Sequence, residues 1–190
     1  MNFPPPPRNL SRGMTDPLDR IAFRLLILRC QTGDAAAFAD LVRQHHDRLA
    51  GYLRGLLGRD PADALQDVWL AVWRGLPRLS DPEAFAGWAF RIARDRAFAE
   101  LRRKGFRLVP LDDVAADEPD DFTDEDAAEV RAAVDRLPPL HRDVLLLRYV
   151  DWLSYEQIAG VAGVPVGTVR SRLFHAKRLM RELLQPEGDR

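Results

Sequence analysis

The sequence predicts an all-α protein made of two small helical domains joined by an acidic flexible linker. Three observations carry this. Apolar residues recur at helical spacing through most of the chain. No stretch of useful length alternates apolar and polar residues as a strand would. The composition also breaks sharply between Leu111 and Val130, where ten residues are Asp or Glu and none is Lys or Arg. These features divide the chain into a disordered proline-rich arm (1–16), a first domain (17–107), a linker (108–125) and a second domain (126–186).

The arm contains Pro4, Pro5, Pro6 and Pro7, followed by Asn9, Ser11 and Gly13, a composition that favours extended chain. The first helix is expected over Pro17 to Gln31. Gly33 and Asp34 break it and start a second helix, Ala35 to Leu57, whose stripe is Phe38, Leu41, Val42, Leu49 and Leu53. Gly58 and Pro61 punctuate the next turn. A third helix follows from Pro61 to Arg74, then a loop from Gly75 to Pro82 and a fourth helix from Glu83 to Lys104. In the second domain a helix from Asp126 to Arg136 stops before Pro138 and Pro139, and another spans Leu140 to Val150.

The next segment carries the clearest motif. Ser154 and Gln157 form a capping-box pattern. Tyr155, Ile158, Ala159 and Ala162 share one face, and Ala159 is small enough for a close helix crossing. Gly163 stands where a tight turn needs positive φ. A second helix starts between Pro165 and Thr168, and Val169 reaches back onto the first. This is a helix-turn-helix, the arrangement that sets a recognition helix into a major groove. Its second helix is split by face. Val169, Leu173, Ala176, Met180 and Leu183 form a core stripe, while Arg170, Phe174, Lys177, Arg178 and Arg181 lie opposite, with Ser171 and His175 beside them. A basic face suits phosphates and base edges. Phe174 among arginines is unexpected for solubility and suits contact with base methyls or sugars.

The first domain carries two further patterns. Leu65, Val68, Trp69 and Val72 are the expected core of the third helix, whereas Asp63, Gln66, Asp67 and Leu70 follow the same spacing on another face. Spacing alone is compatible with either a solvated face or a protein-docking surface. The fourth helix offers Trp88, Ile92 and Ala93 to the core and carries Arg91, Arg94, Arg96, Arg102, Arg103 and Lys104. Aromatic rings interleaved with arginine suit unpaired bases and their phosphates, and the loop Leu79 to Glu83 sits where an unstacked base would be received.

Composition excludes other classes. With 46% hydrophobic and 30% charged residues the chain reads as soluble and globular. Its net charge of -1 averages segments of opposite sign. Arginine outnumbers lysine 26 to 2, which suits phosphate contacts but equally reflects a compositional bias. The one cysteine, Cys30, forms no internal disulfide or cysteine metal site, and its apolar neighbours predict a buried or half-buried thiol with a structural role. No run approaches the roughly 20 apolar residues of a membrane span, and no signal peptide is recognisable. A cytoplasmic protein without membrane insertion is expected. There is no P-loop and no dinucleotide turn, and His45, His46, His141 and His175 form no ligand pattern. No catalytic residue, metal or cofactor is expected.

Taken together, the motifs resemble the sigma-70 family of RNA polymerase sigma factors, in particular its small extracytoplasmic-function (ECF) group. Gly33 to Phe38 resembles the opening of region 2. Asp63, Gln66, Asp67 and Trp69 resemble the helix that docks on the polymerase clamp. Phe85, Trp88, Ile92, Ala93, Arg94 and Leu101 to Arg103 resemble the segments that open and read the -10 element. Leu137, Pro138, Arg142, Leu146, Leu153 to Tyr155, Ile158 and Ala159 resemble region 4, and Pro165 to Arg172 is similar to its -35 recognition helix. The resemblance implies that Asp63, Gln66, Asp67 and Leu70 bind core polymerase. It assigns Trp88, Arg91, Arg94, Asp95, Arg102 and Arg103 to the -10 single strand. Thr168, Arg170, Ser171, Arg172, Phe174, His175, Lys177 and Arg178 fall to the -35 duplex. It implies bacterial core RNA polymerase and promoter DNA as partners and admits an anti-sigma factor as another. Four positions depart from the pattern: Leu79 replaces a common aromatic, Asp95 a common Asn, Ala99 a common Asp and His175 a frequent Arg. The rival readings are a stand-alone helix-turn-helix regulator, an adaptor that binds polymerase without initiating, and an enzyme.

Overall fold

The computed structural model describes residues 17–106, 127–149 and 152–184; the proline-rich arm and the acidic linker lie outside them. Among the described residues there are eight α-helices and no strand: α1 (Pro17–Gln31), α2 (Ala35–Leu57), α3 (Ala62–Gly75), α4 (Phe85–Arg103), α5 (Ala127–Arg136), α6 (Pro139–Tyr149), α7 (Tyr155–Ala162) and α8 (Val166–Leu184).

Local chemistry explains the helix ends. Asp34 caps α2 by accepting a hydrogen bond from the Ala37 amide at 3.0 Å, and its other oxygen takes the Arg29 guanidinium of α1. Gly58 closes α2 in the left-handed region, at φ +66. The expected loop between α3 and α4 is more regular than sequence suggests, folding into two 3-10 turns, Leu76–Arg78 and Pro82–Ala84. Asp81 caps the second turn through the Glu83 amide. Gln31, at the end of α1, donates to the carbonyls of Leu76 and Leu79 and ties this loop to the first helix.

Helices α1 to α4 surround a core of Ile27, Leu41, Tyr52, Leu53, Val68, Val72, Phe85 and Phe90. Cys30 is buried here too, as expected, and burial raises its thiol pKa. His45 is enclosed between Phe23 and Phe85, and burial pushes its pKa down to about 4. Its Nδ1 lies 3.1 Å from the Leu41 carbonyl. Helices α5 to α8 surround a second group, Leu137, Val144, Leu147, Ile158, Val169, Leu173, Ala176 and Met180.

The two bundles also pack on each other. Helix α6 lies against α2, and α7 lies against α4. Gly55 permits the first contact, because a Cβ there would sit 2.8 Å from a Leu146 methyl carbon.

Candidate nucleic-acid and docking interface

The capping box of α7 forms as the sequence predicts. Ser154 Oγ accepts from the Gln157 amide at 3.2 Å, and Gln157 Oε1 accepts from the Ser154 amide at 2.8 Å. Gly163 ends the helix at φ +67, donating its amide to the Ala159 carbonyl. Val169 and Ile158 are fully buried, so α7 and α8 meet as a helix-turn-helix pair. The turn before α7 was not legible: no glycine stands there, and Trp152 itself adopts φ 56, which costs a non-glycine residue about 1 kcal/mol.

On α8 the expected DNA residues divide. Arg170 and Arg178 are exposed, and Thr168, Arg172 and Phe174 are half-buried. Ser171, His175 and Lys177 face inward, with relative exposures of 2%, 8% and 6%. The His175 ring lies 6.2 Å from that of His141 on α6, and the Lys177 ammonium sits 5.7 Å from the centre of the Tyr149 ring. Burial, then the neighbouring His175 and Arg172, push His141 down to about 4. The periodicity of α8 separates a core stripe from a basic stripe but does not show that α6 covers part of the second.

Helix α3 has the two faces expected of it. Leu65, Val68 and Val72 are buried, and Trp69 is half-buried beneath Phe38. Asp63, Gln66 and Asp67 are exposed, and Leu70 is 45% exposed beside them. Trp73, which sequence reasoning did not assign to this face, is 40% exposed and stands edge-on to Phe38, 4.7 Å between ring centres. Its position three residues after Leu70 was the available signal.

Helix α4 runs alongside. Arg91, Asp95, Arg102 and Arg103 are exposed. Trp88 is half-buried and lies on Gly75, where a Cβ would come within 2.7 Å of its Cζ2. Glu100 takes the Arg59 guanidinium at 2.7 Å and the Lys104 ammonium at 2.9 Å, and these hydrogen bonds hold its carboxyl below the usual range. An open groove of 580 Å³ between α3 and α4 is lined by Asp63, Asp67, Arg96 and Arg103 among others. It brings the carboxylates of Asp63 and Asp67 next to the guanidinium groups of Arg96 and Arg103.

Arg94 behaves differently. It is 13% exposed along its side chain, and its Nε donates to Asp143 Oδ2 of α6 at 2.7 Å. Tyr52 donates its hydroxyl to the other oxygen of the same carboxylate, also at 2.7 Å. Burial raises the Asp143 carboxyl, opposed by these two donors, and Asp143 holds the Arg94 charge in place despite burial. Of the four departures, Leu79 is half-buried with its carbonyl bound by Gln31, Asp95 is exposed, Ala99 lines the groove and His175 is buried.

An acidic-apolar face on one bundle, a basic helix beside it and a capped helix-turn-helix on the other define a two-part, DNA-reading transcription protein. Comparison with known families agrees. Residues 41–107 match Sigma-70 region 2, and residues 127–180 match Sigma-70, region 4. The ECF RNA polymerase sigma-E factor of Haemophilus influenzae is 30% identical over 186 residues, covering 88% of this chain and 98% of that protein. Among solved structures, CnrH bound to the cytosolic domain of CnrY superposes with a TM-score of 0.66 at 24% identity, over 88% of this chain and 99% of that one. The sigma factor RpoE of Bartonella quintana, bound to the anti-sigma factor NepR, gives 0.63 at 22% identity, over 79% and 98%. The chain belongs to the sigma-70 family, in its ECF group, and is an RNA polymerase sigma factor of transcription initiation.

Proposed function

We propose that the two bundles divide initiation between them. The α3 face, Asp63, Gln66, Asp67 and Leu70 extended by Trp73, docks on core polymerase. Trp88, Arg91, Arg94, Asp95, Arg102 and Arg103 of α4 meet the opened -10 strand. Thr168, Arg170, Arg172, Phe174 and Arg178 of α8 meet the -35 duplex, whereas Ser171, His175 and Lys177, expected there from the sequence, are buried within the second bundle and support the helix from behind. The work is done by binding energy in the cytoplasm, without a catalytic group. The observation that carries the reading is the exposure of Leu70 and Trp73 beside three exposed polar residues, on a helix whose other face is fully used by the core. Large exposed apolar groups rimmed by polar ones suit a protein partner. An anti-sigma factor is a further partner on this reading, supported by the complexes in which CnrH-like and RpoE-like folds were solved.

The test is in vitro transcription with bacterial core polymerase on fragments from upstream of the organism's own genes. New start sites sharing a -35 and -10 pair are expected, and they should disappear when Asp63, Gln66 and Asp67 are replaced by alanine. Unchanged initiation by that triple variant would refute the docking assignment. Duplex binding without any polymerase-dependent start would instead favour a stand-alone regulator.

A further inference from the structure

The turn before α7 is held from two sides. Trp152 stands in the left-handed region at φ 56, a conformation that persists only where the surroundings fix it. The buried Leu153 supplies that hold: its amide donates to the Leu147 carbonyl at 3.0 Å. Its carbonyl takes Nη1 of Arg148, near the end of α6, at 3.3 Å. The capping box of Ser154 and Gln157 then fixes the next step of the backbone. The residue delivered by this clasp is Tyr155, the first of α7, half-buried against the core.

Two guanidinium groups share the Tyr155 ring. Cζ of Arg148 is 5.3 Å from the ring centre and Cζ of Arg170 is 5.9 Å from it, both within reach of a cation–π attraction. Arg148 is half-buried and bound to Leu153, so it belongs to the scaffold. Arg170 is exposed near the start of α8 and is the arm that the ring can steer. The neighbouring Glu156 adds to this. Its carboxyl is held below the usual range by its own amide, by the Ser154 hydroxyl and, last, by the charge of Arg170. Ring and carboxylate together draw the guanidinium to the first turn of α7.

We propose that Tyr155 is a positioning residue for promoter selection: its ring, anchored by Arg148 and the turn at Trp152, pre-orients Arg170 toward the base edges of the -35 duplex. An exposed arginine samples many rotamers, and ordering it on a base edge costs affinity. One already drawn to an aromatic ring has lost part of that freedom before DNA arrives. A guanidinium attracted by a ring face keeps its in-plane N–H donors for a base edge. Tyr155 therefore sets how sharply the recognition helix discriminates among -35 sequences, although it belongs to the preceding helix. The proposal deepens the assignment of Arg170 to that duplex and rests on it.

The experiment uses the full chain assembled with bacterial core polymerase. The probes are a promoter found by the transcription test above and its derivatives with each -35 base pair replaced in turn. The readout is discrimination, the ratio of initiation on the original base pair to that on the replacement. Arg170→Ala should lower it at the base pairs that Arg170 reads. Tyr155→Leu should lower it at the same base pairs by about 3- to 5-fold, and should cause no further loss when added to Arg170→Ala. Tyr155→Phe keeps the ring and should retain discrimination. Phenylalanine bearing ring fluorines at 155 has nearly the same shape but a depleted ring face, and should lose discrimination step by step as fluorines are added. Because those variants preserve packing, the outcome does not depend on the folding of Tyr155→Leu. Full discrimination in the fluorinated chains overturns the proposal. So does a loss of equal size with and without Arg170, or a loss in Tyr155→Phe as large as in Tyr155→Leu. Failure of the underlying assignment looks different: Arg170→Ala then leaves discrimination intact, or the unaltered chain gives no polymerase-dependent start, and the proposal falls with it.

Discussion

Replacing two leucines on one helix separates docking from folding. Leu65 and Leu70 both lie on α3, five residues apart, but Leu65 is 5% exposed in the core and Leu70 is 45% exposed beside Asp67. Burying a whole leucine side chain contributes about 1.5–3 kcal/mol. If polymerase covers the exposed 45% of Leu70, its share is about 0.7–1.4 kcal/mol. Leu70→Ala should then weaken binding to core polymerase by about 3- to 10-fold, while stability to urea changes by less than about 0.5 kcal/mol. Leu65→Ala should do the reverse, costing about 2–5 kcal/mol of stability through the cavity it leaves. Equilibrium binding to core polymerase and urea unfolding, run on both variants, read the two effects separately. An unaltered polymerase affinity for Leu70→Ala, or a stability loss like that of Leu65→Ala, would refute the assignment of this face.

Other substitutions probe the remaining sites. Arg170→Ala removes an exposed arginine from the recognition helix and should cost about 1–3 kcal/mol in binding the -35 duplex, measured by competition against a scrambled duplex. Gly75→Ala places a methyl group 2.7 Å from the Trp88 ring, so the ring must shift; strand opening at the -10 element, followed by permanganate reactivity of unpaired thymines, should fall more than duplex binding does. His45 has a folded pKa pushed down from 6.5 to about 4 by burial, so the unfolded chain binds the proton more readily. Its contribution is fully present above pH 6.5 and is lost progressively toward pH 4, amounting to about 3 kcal/mol. His45→Met should flatten that part of the urea stability profile, and an unchanged slope would assign the acid sensitivity elsewhere.

The helical architecture was legible because its signals are local. Asp34, Gly58, Ser154, Gln157 and Gly163 each act within four residues of their own position, and the apolar stripes of α2, α3 and α7 need only the helical period. The first two helices begin and end where their sequence signals place them. The outward face of α3 was legible for the same reason, since a helix whose core stripe is complete leaves its second stripe exposed. Trp73 escaped notice because a tryptophan at that spacing is as compatible with the core as with the surface. The 3-10 turns after α3 were hidden because their stability comes from Gln31, more than forty residues earlier in the chain.

What no period reveals is which outward stripes meet one another. Arg94 and Asp143 are 49 residues apart, on helices whose patterns identify the one as part of a basic face and leave the other as a polar residue in an otherwise apolar helix. An aspartate wholly out of solvent at the centre of α6 is costly unless it is paired and hydrogen-bonded; Tyr52 and Arg94 donate to its carboxylate from the other bundle, and the charge of Arg172 on α8 adds to them. That cost ties the two halves of the molecule together more specifically than the apolar contact at Gly55 does, because leucine on glycine tolerates sliding and a carboxylate shared by two donors at 2.7 Å does not.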